Sequence, residues 1–254
     1  MLLEFALIPK TSCQNLLGKA SLPGVTPVLV REEMMIDAGF FPTDRNQVYE
    51  LPKDDLFLTG TSEVALAGLQ GGIYWKKVGF PARYVGYSPV FAERLAHTEK
   101  ILGEIFWVHQ FDKVEMFSFC SPEESWNELE MLREIEQEIL NELGLPHRVI
   151  LVASGDLGAP AALKYDCEVW LPSEGQYREL TSCSNYLDFS ARRMKTRIKS
   201  AEGNQLAHTL NGTACAIGRT LVFLMEHCQQ NDGSFVVPDV LRPFCNLDVI
   251  HPKQ

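Results

Sequence analysis

Two glutamates stand where a carboxylate could hold a positively charged group. Glu63 follows Thr61 and Ser62 just after a predicted strand, and Glu115 lies within another predicted strand. A carboxylate on a rigid backbone can bind an ammonium group or accept a hydrogen bond from a hydroxyl. Most glutamates are instead solvated surface residues. The pair therefore suggests a binding site without identifying one.

A second pair could bind a metal ion. Glu179 and Ser182 are three residues apart on or near a predicted strand. A carboxylate and a hydroxyl can share a Mg²⁺ ion that bridges two phosphates, because Mg²⁺ takes oxygen ligands and keeps several waters. The two residues alone do not require a metal.

One arginine is placed to bind an anion. Arg219 follows Gly218 near the start of a predicted amphipathic helix. The N-terminus of a helix favours anions, and an arginine there reinforces that preference. The alternative is an ordinary surface arginine.

The composition is that of a globular protein outside the membrane. The chain has 254 residues, of which 46% are hydrophobic and 22% charged, enough for one sizeable core. The apolar start lacks basic residues, so we expect no signal peptide, and no segment is long enough to span a membrane. Seven cysteines without CxxC spacing indicate neither a zinc ribbon nor a disulfide framework. A reducing cytosol or organelle matrix fits best. We expect the protein to be cytoplasmic.

The net charge of −10 opposes binding of a polyanion unless basic residues cluster. One such cluster is present and consists of Arg192, Arg193, Lys195, Arg197 and Lys199. It is either a solvated helix face or a contact with a phosphate backbone.

Period-two and helical patterns predict the elements that would position these residues. Strands are predicted at 26–30, 56–59, 83–91, 105–120, 148–153, 164–171, 177–184 and 205–211. Helices are predicted at 31–38, 62–69, 189–199 and 214–229. A further helix starts with a capping box at Ser121 and Glu124 and has an apolar stripe of Trp126, Leu129, Leu132, Ile135, Ile139 and Leu143. The pattern predicts an α+β fold with a mainly antiparallel sheet of six to eight strands flanked by helices.

Several segments together resemble the catalytic domain of the seryl-tRNA synthetases, which are class II aminoacyl-tRNA synthetases. The matching segments are 57–66, 106–117, 178–185, 211–214, 218–220 and 239–244. The likeness runs from about residue 26 to residue 244. It implies the class II fold and an enzyme that activates serine with ATP and transfers it to tRNA.

The resemblance also implies roles for individual residues. In that family the positions matching Thr61, Glu63, Glu115, Asn211 and Thr213 line the serine pocket. Glu179 and Ser182 match the Mg²⁺ ligands next to ATP. Arg219 matches the motif-three arginine that holds ATP. Glu179 and Arg219 would thus be the catalytic residues, with ATP and Mg²⁺ required.

The loop after the predicted strand 83–91 departs from the family. Aligned without gaps, Ala92 replaces the motif-two arginine that contacts the α-phosphate, and Arg94 replaces a glutamate near the adenine. With one residue missing, Ala92 and Glu93 match the end of the motif and the arginine is still absent. Glu93 and Arg94 are further candidates for ATP contacts, and Arg94 or Lys100 could substitute for the lost cation.

Domain organisation also differs from the family. We expect an irregular segment at 1–22 and a single catalytic domain at 23–254, without the helical arm that grips tRNA. Binding of tRNA would be weaker as a result. The family forms homodimers through motif one, which is shortened here to the strand at 26–30.

Two alternatives to a serine–tRNA ligase stay open. One is a degenerate relative that binds serine or nucleotide without useful chemistry, because the motif-two arginine is missing. The other is a ligase that loads an amino acid onto a carrier protein. Such relatives use a zinc site with a cysteine ligand, for which Cys183 and Cys215 lie in suitable segments.

Overall fold

The computed structural model describes residues 21–76, 81–93, 108–200 and 203–252. The strands are β1 (Leu22–Val25), β2 (Leu29–Val30), β3 (Glu50–Leu51), β4 (Leu56–Leu58), β5 (Tyr74–Lys76), β6 (Ala82–Phe91), β7 (Gln110–Cys120), β8 (His147–Leu151), β9 (Leu163–Leu171), β10 (Gln176–Asn185), β11 (Arg197–Ser200), β12 (Gly203–Leu206), β13 (His208–Ala216), β14 (Phe235–Val236) and β15 (Val249–Ile250). The α-helices are α1 (Glu32–Asp37), α2 (Glu63–Gly68), α3 (Ser125–Glu142), α4 (Phe189–Arg193), α5 (Ile217–Cys228) and α6 (Arg242–Cys245). No helix in these ranges is both long and apolar enough to cross a membrane.

A seven-stranded sheet organises the described part of the chain. Its strand order is β1-β6-β7-β13-β10-β9-β8. Every neighbouring pair is antiparallel except β1 and β6, which run parallel. The prediction of a mainly antiparallel sheet of six to eight strands is confirmed.

The main core lies on the face of the sheet that α3 and α5 cover. Successive strand residues point to opposite faces, and Val114, Met116 and Leu210 contribute to this core. From α3, the predicted stripe supplies Leu129, Leu132, Ile135, Ile139 and Leu143. Trp126 is an exception, since it is exposed, and the prediction that it faces inward is wrong.

A second, smaller core lies on the opposite face. Phe117 and Phe119 of β7 pack there against Val64 and Leu66 of α2. The three-stranded sheet β2-β4-β3 adds Phe57 to the same cluster. Because this core fixes α2 against β7, it sets the position of the first residue of α2, which is Glu63.

Several predicted elements differ from the structure. The helix predicted at 189–199 ends at Arg193, because Lys195 adopts a left-handed backbone (φ 58°) and β11 follows, paired with β12 and β5. The helix predicted to start with a capping box at Ser121 begins at Ser125, although Ser121 Oγ does donate to Glu124 at 3.1 Å. Of the strand predicted at 26–30, only Leu29–Val30 forms a strand, which is β2, and β1 ends before it at Val25. The strand predicted at 205–211 is divided between β12 and β13.

Candidate active site

The start of α2 approaches the sheet closely because β6 has a glycine at the point of contact. Gly86 lies beside Glu115 in the register of β6 and β7. A side-chain carbon at Gly86 would lie 2.8 Å from Ser62 Oγ, which is too close for any other residue. The missing side chain therefore allows Glu63, the next residue along, to reach the polar face of β7.

A single amide joins the two glutamates. Asn211 Nδ2 donates to Glu63 Oε2 at 3.0 Å and to Glu115 Oε1 at 3.1 Å. Thr213 Oγ1 contributes a longer contact of 3.4 Å to Glu115 Oε2. All four side chains are buried. The structure thus brings together the residues predicted to line one pocket.

Asn211 also presents an acceptor with nothing bound to it. Its Oδ1 is buried and, within the described ranges, makes no hydrogen bond. An unsatisfied buried carbonyl oxygen costs about 1–3 kcal/mol. A ligand that donates a proton to Oδ1 would recover that free energy.

Lys113 supplies the positive charge of this pocket. Its Nζ lies 2.6 Å from Glu115 Oε2 and donates to Thr61 Oγ1 at 3.2 Å. Thr61 Oγ1 in turn accepts the backbone N–H of Glu63 at 3.3 Å. Lys113 therefore connects β7 to the segment that leads into α2.

Glu63, one of the two glutamates, has a strongly raised pKa. Burial, followed by the negative charge of Glu115, raises the pKa of Glu63 to about 8, while Lys113 and a hydrogen bond from Tyr186 oppose the rise. Tyr186 is itself buried, and burial together with Glu63 raises the pKa of its phenol above the ordinary value. At neutral pH the Glu63 carboxyl is consequently mostly protonated.

Glu179 and Ser182 lie further along the sheet on β10. Glu179 is exposed and Ser182 is partly exposed. Lys164 Nζ lies 3.9 Å from Glu179 Oε1 and 2.9 Å from Asp166 Oδ1. Two oxygen donors open to solvent fit Mg²⁺, which completes its shell with waters and substrate phosphates.

Arg219 is the third residue of α5 and lies near Glu179. Burial lowers the pKa of Arg219, and the charge of Glu179 opposes that effect. Because guanidinium groups stay protonated in proteins, the side chain is a fixed, half-buried cation beside the carboxylate predicted to bind metal. The helix predicted at 214–229 begins at Ile217, because residues 214–216 continue β13, and Arg219 does lie near its start.

The position that departs from the family lies at the end of β6. The Ala92 N–H donates to the His109 carbonyl at 3.1 Å, and the Glu93 N–H donates to the Gln47 carbonyl at 2.8 Å. Neither residue places a cation there. Arg94, Lys100 and the rest of 94–107 lie outside the described residues.

The two cysteines considered as zinc ligands lie in apolar surroundings. Cys183 and Cys215 are both buried in the main core. Burial raises the pKa of the Cys183 thiol, which disfavours the thiolate that a metal needs. No cluster of three or more potential metal ligands among His, Cys, Asp and Glu occurs in the described part of the chain.

Three residues of the pocket escaped prediction from the sequence. Lys113 could have been found, since residues two apart on a strand share a face and Lys113 therefore accompanies Glu115. Gly86 and Tyr186 carry no local signal. Gly86 meets Ser62, and Tyr186 meets Glu63, only through long-range packing.

Comparison with known proteins identifies the family. The model of the tRNA synthetase class II core domain (G, H, P, S and T) matches residues 47–228, which is more than half of the chain. The chain belongs to the class II tRNA synthetase core family. The resemblance drawn from the sequence motifs is thereby confirmed at the level of the family.

Similar members of this class II family carry the name serine–tRNA ligase. The protein from Acidothermus cellulolyticus is 46% identical over 253 residues, covering 100% of this chain and 60% of that protein. The one from Streptomyces coelicolor is 47% identical over 252 residues, covering 99% and 59%. The chain thus spans about 60% of the length of the curated relatives it matches.

Solved structures of the class II family show the same fold. The seryl-tRNA synthetase of Pyrococcus horikoshii complexed with ATP has a TM-score of 0.94 and 36% identity, over 99% of this chain and 57% of that chain. The cytoplasmic serine–tRNA ligase of Naegleria fowleri in complex with AMP has a TM-score of 0.92 and 31% identity, over 100% of this chain and 61% of that chain. The predicted class II fold is confirmed.

Proposed function

We propose that this chain is the catalytic domain, residues 23–254, of an enzyme that activates serine with ATP and transfers the seryl group to tRNA. The observation that carries the proposal is the buried pocket in which Asn211 Nδ2 bridges Glu63 and Glu115. Its donors and acceptors suit a small ligand that has an ammonium group and a hydroxyl. Relatives named serine–tRNA ligase support serine as that ligand.

In this proposal serine lies between the start of α2 and strands β7 and β13. The ammonium group is held by the carboxylate of Glu63 and by Asn211 Oδ1, the buried acceptor that lacks a partner within the described residues. The hydroxyl of serine is held by Glu115 and Thr213. A site that pairs a substrate hydroxyl with buried polar groups rejects analogues without it, because those groups would be left unpaired.

ATP occupies the neighbouring part of the polar face, near β10 and α5. A seryl-tRNA synthetase structure complexed with ATP, at a TM-score of 0.94, supports ATP as the nucleotide. Arg219 would bind the phosphates. Glu179 and Ser182 would hold Mg²⁺, whose charge offsets that of the phosphates. Glu93 and Arg94 are further candidates near the nucleotide, on the segment that follows β6.

The reaction is attack of the serine carboxylate on the α-phosphorus of ATP, which releases pyrophosphate and forms seryl-adenylate. The protein contributes alignment of the two substrates and stabilisation of the charge that develops. Ala92 supplies no cation at the position where the family has an arginine. We therefore expect activation to be slower than in a family member with that arginine.

For tRNA, the described surface offers a basic region on β11. Arg197 and Lys199 of β11 flank the exposed Tyr74 on β5, at 5.9 and 5.7 Å from its ring centroid. Basic residues next to an exposed aromatic ring suit contact with a nucleic acid. We therefore propose that the basic cluster at 192–199 contacts the phosphate backbone of tRNA.

A homodimer would form at the β1 edge of the sheet. Leu22 and Val25 of this strand are 64% and 81% exposed. Exposed apolar side chains on an edge strand favour pairing with another copy. The motif-one region of the family lies in this part of the chain.

A degenerate binding protein is the second candidate function, and Ala92 is the observation that favours it. Such a protein would bind serine or a nucleotide in the same pocket without forming the adenylate. It shares the fold and the Glu63–Asn211–Glu115 bridge with the enzyme. Only turnover separates the two.

Binding of a non-hydrolysable seryl-adenylate analogue tests the proposed site. Calorimetry should show binding at least about tenfold tighter than that of serine alone, since the analogue fills both halves of the site. Arg219→Met should weaken it strongly. The control is Arg192→Met, which removes an arginine from an exposed ion pair with Asp188 and should have no effect. Equal affinity for the corresponding threonyl and alanyl analogues would contradict serine as the substrate.

A further inference from the structure

The proposed serine pocket contains a lysine that contacts two different structural elements at once. Lys113 is mostly buried and lies on the same face of β7 as Glu115. Its ammonium group contacts a carboxylate oxygen at 2.6 Å and a hydroxyl at 3.2 Å. These partners belong to different elements, since Glu115 is on β7 and Thr61 immediately precedes α2.

We propose, on the basis of the proposed function, that Lys113 is a positioning residue that holds Glu115 in an ion pair and leaves Glu63 to receive the substrate ammonium. The geometry makes the two glutamates unequal. Glu115 has Lys113 as a direct ionic partner. Glu63 accepts from Asn211 and Tyr186, which are both uncharged.

This inequality follows from electrostatics in a buried site. Two carboxylates that share one amide repel each other, so both ionise readily only if cations compensate them. One cation is present beside Glu115, and the incoming serine ammonium is the second. The charged and titratable groups that act on Glu63 are Glu115 and Lys113 from β7 and Tyr186 from the end of β10. Asn211 from β13 is the neutral bridge.

Serine binding should therefore release a proton from Glu63 to solvent. The Glu63 carboxyl loses its proton as the serine ammonium takes its place beside the carboxylate. Burial raises the pKa of Glu63 to about 8 even though the charge of Lys113 lowers it. Lys113 therefore keeps the replacement of the Glu63 proton by the serine ammonium close to neutral pH. Without Lys113 the carboxyl would hold its proton to still higher pH.

Calorimetry of serine binding in two buffers of different ionisation enthalpy counts the protons released. For the wild-type chain at pH 7 we expect about one proton per serine bound. Lys113→Met, which has a similar length and no charge, should weaken serine binding at least about tenfold and move the midpoint of its pH dependence upward. Lys113→Arg should keep the midpoint near that of the wild type. Arg148→Met, at an exposed ion pair with Glu168, should change nothing.

The outcomes separate this inference from the proposed function. If the wild-type chain binds no serine, the proposed function fails whatever Lys113 does. If the wild-type chain binds serine and Lys113→Met binds it equally well with the same pH midpoint, the inference is overturned. If Lys113→Met does not fold, the test rests on Lys113→Arg, which keeps the positive charge. A shifted pH midpoint of serine binding in Lys113→Arg would contradict the proposal that Lys113 acts through its charge.

Discussion

Glu63 and Glu115 accept hydrogen bonds from the same amide group, although they are separated by 52 positions and belong to a helix and a strand. In the sequence the two glutamates belong to separate motifs, and nothing there links one to the other. The shared donor, Asn211 Nδ2, comes from a third element, β13. The pocket therefore depends on the packing of three elements, and its properties follow from that convergence.

The first prediction concerns this shared donor. Asn211→Ala removes the Oδ1 acceptor proposed for the serine ammonium and two hydrogen bonds to buried carboxyl groups. Hydrogen bonds to charged groups are worth about 1.5–3 kcal/mol each. We expect serine affinity to fall about 100-fold or more in titration calorimetry. Asn204→Ala, at an exposed position on β12, is the matched control and should bind serine normally. Unchanged affinity in Asn211→Ala would show that serine binds elsewhere.

The second prediction concerns pH. Because the pKa of Glu63 is raised to about 8, the carboxylate that receives the ammonium is scarce at neutral pH. Serine affinity should rise about tenfold per pH unit on approaching pH 8 from below and then level off. Glu63→Gln should bind serine weakly at every pH, without that rise. A flat profile for the wild-type chain between pH 6 and 9 would contradict the assignment of Glu63.

The third prediction concerns Ala92, which follows β6 at the position where the family has an arginine. An arginine aimed at a developing charge contributes on the order of 10²–10³ in rate. Ala92→Arg should therefore raise the rate of serine activation, by about tenfold or more, in a pyrophosphate exchange assay. Ala92→Met is the uncharged control of similar length and should not raise it. No gain from the arginine would indicate that another cation already serves this position.

The fourth prediction concerns stability. Glu136 of α3 is fully buried; it accepts from Thr181 Oγ1 at 3.0 Å, while its Oε1 makes no hydrogen bond in the described part of the chain. Burial raises its pKa well above the ordinary value. Its contribution to the free energy of unfolding is therefore fully present below about pH 4.5 and is lost as pH rises.

Urea unfolding between pH 5 and pH 9 measures that contribution. The free energy of unfolding of the wild-type chain should fall by up to about 1.4 kcal/mol per pH unit for this one group. Glu136→Gln cannot titrate, so its stability should fall less steeply. Parallel pH profiles for the two proteins would mean that Glu136 is ionised in the folded state.

Local patterns in the sequence were sufficient for most strands of the central sheet and for some of the residues that the structure brings together around Asn211. Alternating side chains mark β7, and motifs mark Thr61, Glu63 and Asn211 individually. Patterns failed where the backbone changes direction without a glycine or proline. Lys195 ends α4 in a left-handed conformation, and an 11-residue helix was predicted across it.

Contacts between residues of different elements could not be predicted from the sequence either. The contact between Lys113 and Thr61 joins residues 52 positions apart. Gly86 matters because Ser62 lies against it, and no local pattern reveals a neighbour in space. Motif matching therefore identified the residues proposed to contact serine, but it did not identify Lys113, which is proposed to position one of those residues.

Serine-dependent exchange of pyrophosphate into ATP tests the central claim most directly. The folded chain with Mg²⁺ should show exchange that requires serine, is absent with threonine or alanine, and is lost in Glu115→Ala, which removes the carboxylate that Asn211 and Lys113 hold in place. Exchange no greater than background, from a folded chain that binds serine, would contradict an activating enzyme and leave a serine-binding protein of the same fold.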